Sequence, residues 1–300
     1  MASLFGPPRS FLGLDTAEPL AARAFAAVLP IPYDGTASYR SGTRFGPQAI
    51  IDASEQLETF DQELGLEPAD WGIQTLPPLD IDLKDGAMVE RARQAAAFLA
   101  TPERFLLTLG GEHSLTPGLV AGLRELYPDL SVLYLDAHAD FREEYQGTRF
   151  SHACGLRRIR EQGVPAVLCG VRSLSREEHT ALQRAGVALF RAESAASGEV
   201  VASLSRHVYV SIDLDVLDPG VMPAVGAPEP GGLSWEALLD LLRVVTRERR
   251  VVAADLMELT PEAGPPYAAY TAAKLAYKLI GYVGRSWGLG GSELPAAGLV

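Results

Sequence analysis

A three-layer α/β/α domain with a mainly parallel central sheet is the fold that the sequence predicts, and two observations predict it. Short apolar runs alternate with longer amphipathic segments along the chain, the pattern of repeated βαβ units. Hydrophobic residues make up 47% and charged residues 21% of the 300, close to ordinary soluble domains, so a sizeable core is expected and a largely disordered chain is not.

Taken in order, the apolar run Ala26–Ile31 is the first expected strand and Pro47–Ser54 the first helix. The helix Gly86–Leu99 then precedes the strand Phe105–Leu109, and the helix Thr116–Tyr127 precedes the strand Ser131–Leu135. The short runs Ala166–Leu168 and Val187–Leu189 flank the helix Arg176–Ala185. Strands Val208–Ile212 and Val251–Leu256 enclose the helix Ser234–Thr246, and Tyr270–Tyr282 is the last helix. There is no internal repeat and no Ser/Gly linker long enough to divide the chain, so one domain spanning 1–300 is expected, with loose ends at 1–10 and 288–300.

The balance of 26 Lys and Arg against 38 Asp and Glu gives a net charge of −12, which argues against a nucleic-acid partner. Cys154 and Cys169 are the only cysteines, too few for a disulfide framework, and are read as reduced thiols of a cytoplasmic protein. No run reaches the roughly 18 apolar residues of a membrane helix, so no membrane partner is expected. Pro7, Pro8 and Arg9 stand where a signal peptide needs its apolar stretch, so the start is read as mature protein.

Ligands of an open parallel sheet bind at the carboxyl ends of its strands. Three expected strands run there into polar clusters: Gly110-Gly111-Glu112-His113-Ser114, Asp136-Ala137-His138-Ala139-Asp140 and Ser211-Ile212-Asp213-Leu214-Asp215. In an extended chain side chains alternate, which puts Asp136, His138 and Asp140 on one face, and likewise Asp213 and Asp215. Any single aspartate reads more simply as a solvated surface acid. The group does not, because packed carboxylates with no Lys or Arg among them need a counter-charge. Four aspartates against two divalent cations balance the charge, and His113 and His138 add neutral nitrogens. Bridging carboxylates would hold such ions about 3.5–4 Å apart and yield a hydroxide near neutral pH. Hard oxygens and imidazoles without thiolate suit Mn²⁺, two per chain, while a single zinc or iron ion stays open.

The motifs GGEHS, DAHAD and SIDLDVLDP, in this order, with DLMELTP around Asp255, resemble the ureohydrolase family of arginases and agmatinases over roughly Phe11 to Gly284. The segments Pro32-Tyr33-Asp34-Gly35, Ser38-Tyr39-Arg40 and Gly42-Thr43-Arg44-Phe45-Gly46-Pro47 resemble the agmatinase branch. The resemblance implies an arginase-like fold and manganese-dependent hydrolysis of a guanidino group to urea and an amine. It implies Asp136 and Asp213 as bridging carboxylates, His113 and Asp140 completing one metal, and His138 and Asp215 the other. It also implies that Glu258 holds the guanidinium, that His152 carries protons to the leaving amine, and that the protein is a homo-oligomer, a trimer or hexamer.

The segment Gln146–Ser151 lacks the Ser-Gly-Asn run with which arginases read the amino-acid head of arginine, so agmatine, yielding putrescine, is the expected substrate. A guanidino acid such as 4-guanidinobutanoate, its carboxylate meeting Arg142 or Arg149, is the alternative, with arginase activity behind it. Ala224-Val225-Gly226-Ala227-Pro228-Glu229 replaces the family's common Gly-Thr-Gly-Thr-Pro-Glu and loses two hydroxyls; a non-catalytic metal-binding regulatory subunit is therefore kept as a reading of another class. Cys154 is read as a packed residue, Tyr39 as either rim or packed loop, and His179 and His207 as residues without a special role.

Overall fold

The apolar runs are buried on both faces, as strands of a helix-covered parallel sheet must be. The computed structural model describes residues 9–14, 24–191 and 198–291. Its eight strands are β1 (Ala26–Ile31), β2 (Ile73–Thr75), β3 (Phe105–Gly110), β4 (Ser131–Leu135), β5 (Ala166–Cys169), β6 (Ala188–Phe190), β7 (His207–Asp213) and β8 (Arg250–Met257). They form one sheet in the order β2-β1-β3-β8-β7-β4-β5-β6, with every pairing parallel.

Alternation along the strands sorts the core into two layers. Val28, Leu107, Leu133, Val210 and Leu256 point to one face, where α1 (Gly46–Ser54), α6 (Gly198–Ala202), α7 (Trp235–Glu248) and α8 (Tyr267–Ser286) cover them. Ala27, Leu106, Val132, Leu168 and Tyr209 point to the other, under α2 (Ala87–Leu99), α3 (Thr116–Leu123), α4 (Gly155–Glu161) and α5 (Arg176–Ala185).

The structure departs from the sequence reading chiefly at the margins. β2 has only one apolar residue in three, too little to register as a strand by itself; its pairing with β1, Ala26 opposite Ile73, makes it one. The two edge strands, β2 and β6, are each three residues long, which limits unpaired backbone at the sheet edges. Helices α4 and α6 were not expected, being seven and five residues long. The helix expected to reach Tyr127 stops at Leu123, ahead of Pro128. Of the ends expected to be loose, residues 1–8 and 292–300 lie outside the described residues, while Arg9 pairs with Asp52 at 2.8 Å and Ser10 is buried.

Two neighbours of the sheet centre matter for function. α3 follows His113 directly, and its Gly118 and Gly122 lie against the backbone of α2: a methyl group on Gly118 would stand 2.0 Å from the carbonyl oxygen of Val89, and on Gly122 2.3 Å from that of Arg93. α3 can thus lie close to α2 only because these positions lack a side chain. Gly118→Ala is therefore expected to lower stability by about 1–3 kcal/mol, the usual cost of overpacking, despite alanine's better helix propensity. Urea denaturation would check this; an unchanged midpoint would show that the helices separate freely.

Candidate metal centre

All the expected ligands come from the ends of three central strands, β3, β7 and β4, and Glu258 follows β8, which lies between β3 and β7. This is where the strand order reverses direction, the position at which open α/β sheets bind ligands. Turns rather than extended chain bring the ligands together. β4 ends at Leu135, and Asp140 takes a left-handed φ of 47°. Asp213 caps a 3₁₀ turn over Leu214–Val216, its Oδ1 accepting from the Asp215 N–H at 2.9 Å. The strict alternation expected over 136–140 and 213–215 does not hold, yet the side chains converge.

His113, Asp136 and Asp140 each bring a ligand atom within 4.8 Å of the others, and so do Asp136, His138 and Asp215. Asp136 divides its oxygens between the groups, Oδ2 lying 3.1 Å from His113 Nδ1 and Oδ1 3.6 Å from His138 Nδ1. Asp213 turns its Oδ2 to His113 Nδ1 at 3.2 Å, and Asp215 Oδ2 lies 2.8 Å from His138 Nδ1. All four aspartates are buried.

The charges strain against that burial. Desolvation, reinforced by mutual repulsion, holds the carboxyls of Asp140, Asp213 and Asp215 above the ordinary range. Asp136 goes the other way: burial opposes its charge, but hydrogen bonds to His113 and His138 prevail. Against their own desolvation, the histidines are pushed up by the same contacts, His138 to about 12 and His113 well above its usual value. The cluster demands positive charge, and the ion-pair partners of its aspartates are His113 and His138.

The hydrogen bonds around His113 decide which form of imidazole fits. Asp255, fully buried, accepts from Ser211 Oγ at 2.7 Å, from Thr116 Oγ1 at 2.7 Å and from the Tyr209 hydroxyl at 2.7 Å. With its proton committed to Asp255, Ser211 Oγ accepts from His113 Nε2–H at 2.7 Å. A neutral His113 therefore carries its lone pair on Nδ1, the nitrogen that faces the carboxylates. A lone pair among carboxylates fits a cation between them, and the hydrogen bond on the far nitrogen is the usual support of a metal-binding histidine. Tyr134 completes this shell, stacking on His113 at 4.3 Å and donating to Asp140 Oδ2 at 2.8 Å.

Glu258 follows β8 with a φ of 68°, pinned by its N–H donating to Gly111 O at 2.8 Å and its Oε1 accepting from His113 N–H at 2.7 Å. Burial first, then the nearby Glu112, pushes its carboxyl up to about 8. His152 opens a short 3₁₀ turn. Thr36 Oγ1 donates to Glu112 Oε1 at 2.7 Å, so it can only accept from the His152 backbone N–H at 3.1 Å and from Nδ1–H at 3.3 Å. That leaves the Nε2 lone pair 3.1 Å from Ser38 Oγ. Burial pulls this imidazole down to about 4, so it is neutral at neutral pH rather than the ready proton donor its ordinary titration suggests.

These groups line a cleft of about 390 Å³ that includes His113, His138, Asp140, His152, Asp213, Asp215 and Glu258, with Asp136 buried beneath. Arg142, Tyr145 and Glu178 also line it, whereas Arg149 pairs with Glu143 and Glu161 instead of lining the cleft. Tyr39 is 80% exposed, between Ser38 and Arg40 on the cleft wall. Val225 is packed in the core and Ala227 faces the cleft, so only the second lost hydroxyl would have reached the site. Cys154 is buried, its thiol pushed up to about 11 by desolvation, as suits a packed residue rather than a nucleophile. His207 pairs with Asp129 at 2.6 Å, away from the cleft.

Four residues were not singled out from sequence: Thr36, Glu112, Ser211 and Asp255. The last two did leave a signal, as polar residues inside the otherwise apolar runs of β7 and β8.

The model of the Arginase family matches residues 24–281. The chain is similar to the N(1)-aminopropylagmatine ureohydrolase of Synechocystis sp., 38% identical over 294 residues that cover 93% of this chain and 95% of that one. It is 41% identical over 270 residues to the N(1)-aminopropylagmatine ureohydrolase of Thermus thermophilus, covering 87% and 91%. Among solved structures, the agmatine ureohydrolase of Thermoplasma volcanium superimposes with a TM-score of 0.84 at 28% identity, over 95% of this chain and 97% of that one.

The depressed His152 gives a pH-dependent stability with a definite sign. A folded-state value near 4 against about 6.5 unfolded means that the stability present above pH 6.5 drains away as pH falls toward 4. Melting temperatures of the wild type and His152→Gln, compared between pH 7 and pH 4, should therefore show the wild type losing more. Parallel losses would mean that His152 titrates normally.

Proposed function

We propose that this chain, which belongs to the arginase family, hydrolyses the terminal guanidino group of an agmatine-like cation at a two-manganese centre, releasing urea and an amine. The observation that carries the reading is Asp136, whose two oxygens serve two ligand groups at once. His113, Asp136, Asp140 and Asp213 would hold one ion, and Asp136, His138 and Asp215 the other; Asp213, expected as a second bridge, turns Oδ2 to His113 while its Oδ1 accepts from the Asp215 N–H. The donor set of carboxylates and imidazoles without thiolate favours manganese. When bound, such a pair supplies a nucleophilic hydroxide at neutral pH and balances the aspartates. The relatives above are ureohydrolases over nearly their whole length, which leaves the regulatory-subunit reading without support.

The protein's own residues do the rest. Glu258 is fixed at both its backbone and its Oε1, leaving Oε2 for the guanidinium, a charge-assisted pairing that also keeps the carboxylate ionised. His152, neutral with its Nε2 lone pair facing the Ser38 hydroxyl, takes up a proton at that atom and returns it to the departing amine. Buried side chains around both groups exclude water and hold them in place.

Within the agmatine-like class, N(1)-aminopropylagmatine is the first candidate, because relatives with that printed name match the chain at 38% and 41% identity. Agmatine, expected from sequence, is the second. Urea release by the manganese-loaded protein from N(1)-aminopropylagmatine, agmatine, arginine and 4-guanidinobutanoate tests this. The highest kcat/KM is expected on N(1)-aminopropylagmatine; turnover confined to arginine or the guanidino acid would overturn the assignment.

Elemental analysis should find two manganese ions per chain. Because Asp136 serves both groups, Asp136→Asn should lose most of both ions rather than one. One ion per chain in the wild type would refute the dinuclear centre.

A further inference from the structure

We propose that Glu178 and the ring of Tyr145 form the subsite for the cationic tail of the substrate, and that Arg142 fills it as an internal competitor until substrate displaces it. The inference rests on the guanidine-hydrolase reading above and adds which tails the cleft accepts.

Glu178 sits in the first turn of α5, where its carboxylate completes the capping box with Ser175. Its Oε2 accepts from the Ser175 N–H at 2.9 Å and its Oε1 from the Phe141 N–H at 3.1 Å, so the group cannot swing away. The side chain is only 6% exposed, yet it lines the cleft. A buried carboxylate facing a cleft needs a positive partner, and here that partner is Arg142, whose Nη2 lies 3.6 Å from Oε2. The same guanidinium lies 5.2 Å from the centre of the Tyr145 ring. An anchored carboxylate beside an aromatic face is a receptor for an ammonium group.

Arg142 is the replaceable member of this set. Its distance to Glu178 is that of a loose ion pair rather than a hydrogen bond, and its side chain is 41% exposed. A second cavity of about 290 Å³ shares Arg142 and Glu178 in its lining; Arg157 in it is paired with Glu143, and Glu144 and Glu177 give the displaced guanidinium acidic neighbours. Tyr145 meets the ring of His152 edge-on at 6.0 Å, which joins the subsite to the reaction centre. A tail bearing an ammonium replaces Arg142 one charge for another. A neutral tail gains nothing from Glu178, and a carboxylate tail meets its repulsion.

Steady-state kinetics on agmatine, butylguanidine and 4-guanidinobutanoate test the proposal. Glu178→Gln, which keeps the size of the side chain and one of its two acceptor oxygens, should raise the ratio of KM for agmatine to KM for butylguanidine by about tenfold, the worth of one charged hydrogen bond. Arg142→Gln, at a half-exposed position, should lower KM for agmatine about threefold or more, as expected when one exposed ion pair no longer competes. Should Glu178→Gln fold poorly, calorimetric titration of Arg142→Gln with 1,4-diaminobutane should show tighter binding than the wild type, with butylamine shifted less. Equal changes for agmatine and butylguanidine would overturn the subsite. So would Arg142→Gln raising KM for 4-guanidinobutanoate while agmatine stays constant, since Arg142 would then read a carboxylate. A wild-type protein that hydrolyses none of the three would defeat the underlying reading rather than this one.

Discussion

Negative charge packed into the centre of the molecule, its carboxylates paired with histidines, is what the surrounding structure is organised to tolerate. Asp136, Asp140, Asp213 and Asp215 all lie buried at the ends of central strands. Below them Asp255 is buried as well, and it stays comfortable only because Ser211, Thr116 and Tyr209 all donate to it. That lower layer sets the orientation of the upper one. By holding the Ser211 proton, Asp255 makes His113 present Nδ1 upward, so a carboxylate that touches no ligand position determines which nitrogen can bind.

Two buried or half-buried acidic residues of the site have left-handed backbone. Asp140 and Glu258 have φ of 47° and 68°, a conformation that costs on the order of 1–3 kcal/mol for such residues. Each is held by more than one group: Asp140 by the Tyr134 hydroxyl and the Arg157 N–H, Glu258 by Gly111 and His113. Glu258 directly follows β8, and Asp140 closes the turn after β4.

The alternation of apolar runs with amphipathic segments was enough to read the layered fold and seven of the strand positions, because buried parallel strands are apolar throughout. β2 escaped because pairing, not composition, makes Ile73-Gln74-Thr75 a strand. The metal ligands were legible because they cluster in three short motifs, although the alternation argument that grouped them assumed extended chain where the molecule turns. What supports them was harder to see: Thr36 meets His152 across 116 positions of sequence and Glu112 across 76, and no local pattern records such contacts. Arg142 and Arg149 look equivalent in sequence, yet one faces the cleft and the other an outer cluster of glutamates.

The strand order has a consequence for how the molecule is made. β7 and β8, the last strands to be synthesised, stand in the middle of the sheet between β3 and β4. Until residue 257 is available, the halves built from β1–β3 and from β4–β6 have no shared edge and cannot complete their core. His113 and the 136–140 turn therefore remain on separate pieces through most of synthesis, and cations cannot gather them early. Assembly of the site is tied to closure of the sheet, a step of long sequence separation and so of slow folding. A chain cut short before β8 would carry all six ligands and none of the centre.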